Sequence, residues 1–398
     1  MKLKIILSTL IVALILSGGY SFYVYAWDPS EKVSVKEDEM TNVDFLKDKR
    51  AVIYFSTTAD QDSNDDGMSY AMFVDEKGQA NSIKMEGLEL GNITKSTNQV
   101  FIEDKNRIQL LGGKYEDFHL KKSQYTGERS GYLPGKDLFF SIYNTGFNKK
   151  GGYDSDVRYG NENGFKTGTI PNYLVSSGVV GDNVYVLAND QTKPKVFVLK
   201  EVILDNKFDV KDLAKIETPN EVAAESEVLA DQNYFYFIMG ATTDDHNKDD
   251  LLIRVHKQTK KQDIFPLVHY AGVDDIIETI VFNVRQSAYL YKDELYFVDG
   301  LGDVYTFNTK TEQIQKKFSF VDADKTKVGY NEQVYFQDDH VYYFRFNPKS
   351  EKYTIDVYSL LTGKQESQQE ITGINEVMNQ VQKRGKSIYS YGFMMLSK

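Results

Sequence analysis

Residues 293–298 read DELYFV: two acidic residues suited to a turn, then Leu295, Tyr296, Phe297 and Val298, the aromatic and branched side chains that favour a strand. The phrase recurs. Asp182-Asn183 precede Val184-Tyr185-Val186-Leu187, Gln232-Asn233 precede Tyr234-Phe235-Tyr236-Phe237, and Asp338-Asp339-His340 precede Val341-Tyr342-Tyr343-Phe344. With Val184, Tyr234, Leu295 and Val341 as equivalent positions, the intervals are 50, 61 and 46 residues. Each unit continues into a second strand, as at 303–308 and 354–359, then a turn and a third, which is a meander. Weaker copies at 51–57, 99–104 and 137–143 bring the series to about seven units between Arg50 and Lys398.

A recurrence near 50 residues is the length of one four-stranded blade. Over residues 50–398 the pattern resembles the β-propeller class, without the tryptophan-aspartate, double-glycine or aspartate-box signatures of particular families. The resemblance implies an all-β, seven-bladed propeller, with six or eight blades as the neighbouring counts and a two-domain β assembly as the alternative. The stretches 220–230 and 375–383 have helical composition and read as connectors. Residues 387–396 read as a last strand that returns to the first blade, closing the ring and removing exposed sheet edges.

Composition agrees with a β fold and narrows the function. The chain has 28 Tyr, 24 Phe and only 7 Pro, an aromatic load that suits strands. With no cysteine there can be no disulfide, thiolate metal site or cysteine nucleophile, so stability must come from burial. A formal charge of −11 argues against a nucleic-acid partner, which would need clustered Lys and Arg.

Ahead of the repeats, Lys2 and Lys4 precede an apolar run at 5–16, and the aromatic stretch Tyr20, Phe22, Tyr23 and Tyr25 leads to Trp27. Positive charge followed by a span of about 20 residues with an aromatic border describes a signal-anchor helix whose N-terminus stays inside. Residues 1–27 are therefore expected to hold the protein in the cell membrane by a single pass, with 28–49 as a polar tether and 50–398 as the domain outside. The alternative is secretion after cleavage near Ala26. The Lys-, Asn-, Ile- and Tyr-rich usage fits the envelope of a low-GC bacterium.

One loop carries a cation-site pattern. Asp62, Asn64, Asp66 and Gly67 match the first half of a calcium loop, in which alternate oxygens turn inward and glycine exposes the next carbonyl, that of Met68. The twelfth position is Phe73 rather than Glu, so calcium is expected only if another oxygen completes the shell. A second acidic loop carries Asp244, Asp245 and His246, and a third, 144–169, carries Asp154, Asp156 and Arg158. If the register is right, all three join the second and third strands of a blade and surround one mouth of the channel. These are the expected ligand-binding loops.

The serine-hydrolase elbow, the His-Glu-x-x-His motif, the phosphate loop and the dinucleotide motif are all missing, and the five histidines are scattered. The reading is therefore a membrane-tethered recognition or scaffold domain that binds a protein, peptide or envelope component through one face. An extracytoplasmic hydrolase or lyase using carboxylates at the channel mouth is the alternative.

Overall fold

The computed structural model describes residues 33–396, except 63, 190–192, 194, 245, 246, 272–278 and 326–328. Every run picked out by the recurring phrase becomes the second strand of a blade: β1 (Lys49–Ser56), β5 (Val100–Glu103), β9 (Leu138–Phe147), β13 (Asn183–Asn189), β18 (Tyr234–Asp244), β22 (Glu294–Val298) and β26 (His340–Asn347). Each sits in its own antiparallel sheet, and there are seven such sheets. The protein is a seven-bladed β-propeller.

The innermost strands are β4 (Ile93–Lys95), β8 (Gly127–Leu133), β12 (Tyr173–Val180), the short pair β16 (Val222–Ala224) and β17 (Leu229–Ala230), β21 (Ala288–Tyr291), β25 (Gln333–Gln337) and β29 (Tyr389–Met395). The last of these lies inside β1 in the first blade, with Val52 opposite Met394 and Ile53 opposite Phe393. The C-terminal strand therefore closes the ring, as 387–396 led one to expect. The axis is crowded enough that a Cβ on Gly178 would lie 1.8 Å from the Val228 carbonyl oxygen, so only glycine fits there.

Seven apolar clusters follow from the alternation of side chains, each wedged between two neighbouring blades. They are unequal. The seam between the last and first blades holds 19 buried apolar residues, among them Phe55, Phe344 and Phe393, whereas the seam between the second and third holds four: Phe101, Ile108, Leu110 and Phe139.

Two expectations change. Residues 220–230 are not helical: they form β16 and β17, because inner-strand pairing with β18 outweighs their Glu and Ala content. The helix at 375–383 is present as α2 (Ile374–Lys383), following a single turn, α1 (Glu37–Met40). From Val33 onward the supposed tether packs on the first blade: Val33 and Phe45 are buried, and the Phe45 ring meets Phe73 edge-on at 5.0 Å. Its apolar residues are too irregularly spaced to show a period. Among the described residues no helix is long and apolar enough to cross a membrane, and the apolar run at 5–16 lies outside them.

Candidate functional site

Antiparallel succession within each blade puts the turns between first and second, and third and fourth, strands on one face. The loops between second and third strands share the other face with the crossovers to the next blade. The two faces differ in chemistry. Tyr125, Phe147, Tyr173 and Tyr330, the exposed aromatic residues among those described, all lie on the crossover face. Three aromatics form a ridge there: Phe147, 76% exposed at the end of β9, meets Tyr153 edge-on at 5.4 Å, and Tyr153 meets Tyr173 at 5.1 Å.

The mouth of the channel on this face is filled. The crossover from the fifth to the sixth blade sends 279–287 into the axis, and Arg285 becomes the hub. Its Nη1 donates to the carbonyls of Leu90 (2.7 Å) and Glu128 (3.0 Å), and Nη2 donates to that of Tyr391 (3.3 Å). Arg129 Nη2 donates to the Arg285 carbonyl and to Glu227, Thr279 Oγ1 donates to Glu225, and Asn283 Oδ1 accepts from the Val334 amide. One segment thereby ties together blades on all sides of the ring. Burial lowers the Arg285 pKa to about 10, which still leaves it charged at neutral pH. Burial also raises Glu227 to about 7 against the pull of Arg129.

The calcium-like residues do not converge. Asp62 is buried, takes the Gly67 amide at 2.6 Å, and pairs through its other oxygen with Lys105 Nζ at 2.8 Å. Lys105 also holds Asp65 at 2.6 Å and sits 4.5 Å above the Tyr125 ring. Burial lowers the Lys105 pKa, but the hydrogen bonds to Asp62 and Asp65 outweigh it and hold the pKa well above the usual range. Asp66 points instead to Lys386 Nζ at 2.6 Å, whose hydrogen bond keeps its carboxyl below the usual range. Asn64 is exposed, and the Met68 carbonyl accepts the Thr57 amide. Two ammonium groups thus sit where a metal was expected. Among the described residues no three His, Cys, Asp or Glu side chains gather as a metal site.

The third acidic stretch is not a long loop. Asp154, Asp156 and Arg158 lie on β10 (Tyr153–Asn161), which pairs with β9 on one side and β11 (Gly164–Pro171) on the other. The Gly and Thr content there belongs to β11, an outer strand in which Ile170 is the one buried residue. Asp154 accepts from Asn148 Nδ2 at 3.0 Å, while Asp156 and Arg158, two residues apart on one strand face, both line a cleft toward the second blade. In the second stretch Asp244 ends β18 opposite Asn247, and Asp245 and His246 lie outside the described residues.

The small second-to-third seam adds buried polar groups to its four apolar residues. Glu103 of β5 is buried, and the Tyr143 hydroxyl of β9 donates to it, with Ser141 Oγ 2.6 Å from that hydroxyl. The Arg158 guanidinium lies 4.8 Å over the Tyr143 ring. Burial raises Glu103 to about 7, partly offset by the hydrogen bonds from Tyr143 and Ser141. Neither Arg285, Lys105 nor Glu103 stands in a motif. The one trace is the long 61-residue interval, whose surplus falls where the axial segment lies.

A seven-bladed propeller closed by its C-terminal strand and plugged on its axis is the class of protein these features define. The chain belongs to the family described as YycP, beta-propeller domain, whose model matches residues 44–396. It is similar to the uncharacterized protein YycP of Bacillus subtilis (strain 168), being 28% identical over 370 residues, 92% of this chain and 94% of that one. Among solved structures, an apocarotenoid oxygenase of Synechocystis gives a TM-score of 0.51 at 7% identity, over 88% of this chain and 93% of the other. AztD of Citrobacter koseri gives 0.46 at 12% identity, over 84% and 85%. At these identities the likeness concerns the fold.

Proposed function

We propose that the protein is a membrane-tethered recognition module outside the cell membrane, holding a protein partner on its crossover face with Phe147, Tyr153 and Tyr173 as anchors. The observation that carries this reading is the one-sided distribution of exposed aromatics. Aromatic side chains are enriched at the centres of protein interfaces, where they supply large contact area at low entropic cost. A filled axis leaves relief rather than a deep pocket, which suits a macromolecule better than a small substrate. The carboxylates that could serve a hydrolase or lyase near the axis are already engaged: Glu128 by Ser177, Glu225 by Thr279 and Glu227 by Arg129.

The tether supports the same arrangement. Val33 packs beside Gly373 at the edge between the last and first blades, so an anchor at 1–27 draws that edge toward the membrane. The Phe147 ridge stands across the ring, between the third and fourth blades. A partner in the envelope would meet it first.

A photo-crosslinking residue placed at Phe147 of the full chain in intact cells should give a discrete adduct, lost when Tyr153 and Tyr173 are both changed to Ser. The same probe at Leu361, in a turn of the opposite face, should give none. Equal labelling from both positions would overturn the reading.

A further inference from the structure

The cleft between the outer strands of the second and third blades is a different place from the aromatic ridge, and its lining is basic. It encloses about 530 Å³ between β7 (Glu116–His119), the residues that follow it, and strands β10 and β11. In a chain with a formal charge of −11, its lining brings together Lys121, Lys122, Arg158 and Lys166 against one carboxylate, Asp156. Phe118 and Phe165, both also in the lining, meet edge-on at 5.1 Å.

Arg158 is the built part of this site. Only 5% of it is exposed, its plane is fixed over Tyr143, and Nη2 donates to the Lys122 carbonyl at 2.6 Å. Its Nη1 is buried with no hydrogen-bond partner among the described residues. Leaving a buried charged donor unpaired is costly, and such groups are rare in native proteins unless something else satisfies them. Asp156 does not: its carboxylate is taken by Lys122 Nζ at 3.0 Å, with Gln124 and Thr169 at 3.5 Å. The four cations exceed the one carboxylate by three charges, enough to match a dianion.

We propose that this cleft binds a phosphoryl group carried on an apolar or aromatic body. The Arg158 guanidinium and the ammonium groups of Lys122 and Lys166 take the phosphate oxygens, and Phe118 and Phe165 contact the attached group. Arg supplies directed donors and the lysines supply mobile charge, the division of labour usual in phosphate recognition. The sparse apolar packing of this seam is then explained by its use: the space another seam fills with side chains is kept for a ligand.

The full chain in neutral detergent micelles, titrated calorimetrically with phenyl phosphate, should bind one equivalent saturably. Lys122→Ala with Lys166→Ala, both exposed positions that leave the fold intact, should weaken binding by about tenfold and flatten its salt dependence. Arg158→Lys should abolish it. Inorganic phosphate should bind more weakly than phenyl phosphate, because it lacks the body that the two rings contact. Competition by phosphatidate doped into the micelles would assign the phosphoryl group to a lipid headgroup, and its failure to compete would assign it to a soluble ester. No saturable heat up to about 10 mM phenyl phosphate, the range of very weak affinity, would overturn the site. So would equal binding by the lysine double variant and the unaltered chain.

Discussion

The seam that closes the ring and the seam between the second and third blades are built from the same strand pattern, yet they are held together differently. In the first, Phe55, Phe344 and Phe393 lead an apolar cluster of 19 buried residues that extends to α2. In the second, four apolar residues share the interior with Glu103, Tyr143, Ser141 and Arg158. Burial of apolar area is non-directional and tolerant, whereas a buried acid, phenol and guanidinium have to be arranged around one another. The apolar seam is specialised for closure. The polar one gives up packing for buried groups whose charge depends on pH.

The largest effect should come from breaking the closing seam. Removing residues 387–398 takes away β29, exposes the edge of β1, and deletes Ile388, Phe393 and Met395 from the cluster. Because ring closure couples every blade to the next, the expected loss is the whole folding free energy, on the order of 5–15 kcal/mol. Circular dichroism of the truncated chain should show no cooperative melt. A truncation that melts like the full chain would mean that the ring is not held by this strand.

How far this contrast was legible in the sequence differs between the two seams. The closing seam could be read because it depends on alternation: Tyr389, Tyr391 and Phe393 repeat the strand pattern, and a final strand in a propeller has one place to go. All seven second strands were legible for the same reason, since a polar turn followed by aromatic residues leaves a periodic trace. The polar seam left none. Glu103 looks like an ordinary strand-end acid until Tyr143, 40 residues later, is brought against it. Lys105 could not be attached to the Asp62 loop, because its pairing depends on how two blades pack. Asp, Asn and Gly serve turns and metal sites alike, so loop composition at 62–67 could not separate a calcium ligand from a lysine partner. On β10 the same ambiguity made a strand look like a loop, although Asp156 and Arg158 do line a common cleft.

A smaller effect should come from the polar seam and depend on pH. Glu103 is raised from 4.5 to about 7, so between those values the folded chain keeps a proton that the unfolded chain has released. Stability from this group is complete below about 4.5 and falls as pH rises through about 7, by roughly 3 kcal/mol at about 1.4 kcal/mol per pH unit. Glu103→Gln mimics the protonated acid and can still accept from Tyr143. Urea denaturation should therefore find the variant and the parent alike near pH 4.5, with the variant gaining up to about 3 kcal/mol by pH 8. A difference that stays flat over this window would mean that the folded chain does not hold the Glu103 proton above pH 4.5. Glu227, raised in the same direction, titrates in both proteins and cancels from the comparison.

The smallest effect belongs to the rim of the polar seam, where Lys105 follows Glu103 along the chain and reaches back to the first blade. Lys105→Ala leaves the Asp62 carboxylate buried, with the Gly67 amide but without its ammonium partner, a loss of about 2 kcal/mol. The vacated space is bordered by Asp62 and Asp65, so a divalent cation should now compete for it. In the unaltered chain, millimolar calcium should leave the melting temperature unchanged, because the ammonium already holds both carboxylates. In the Lys105→Ala variant, calcium should restore part of the lost stability, and Asp62→Ala on the same background should abolish that rescue. Stabilisation of the unaltered chain by calcium would show that the metal can displace the lysine, and would make the loop at 62–68 the cation site its spacing suggests.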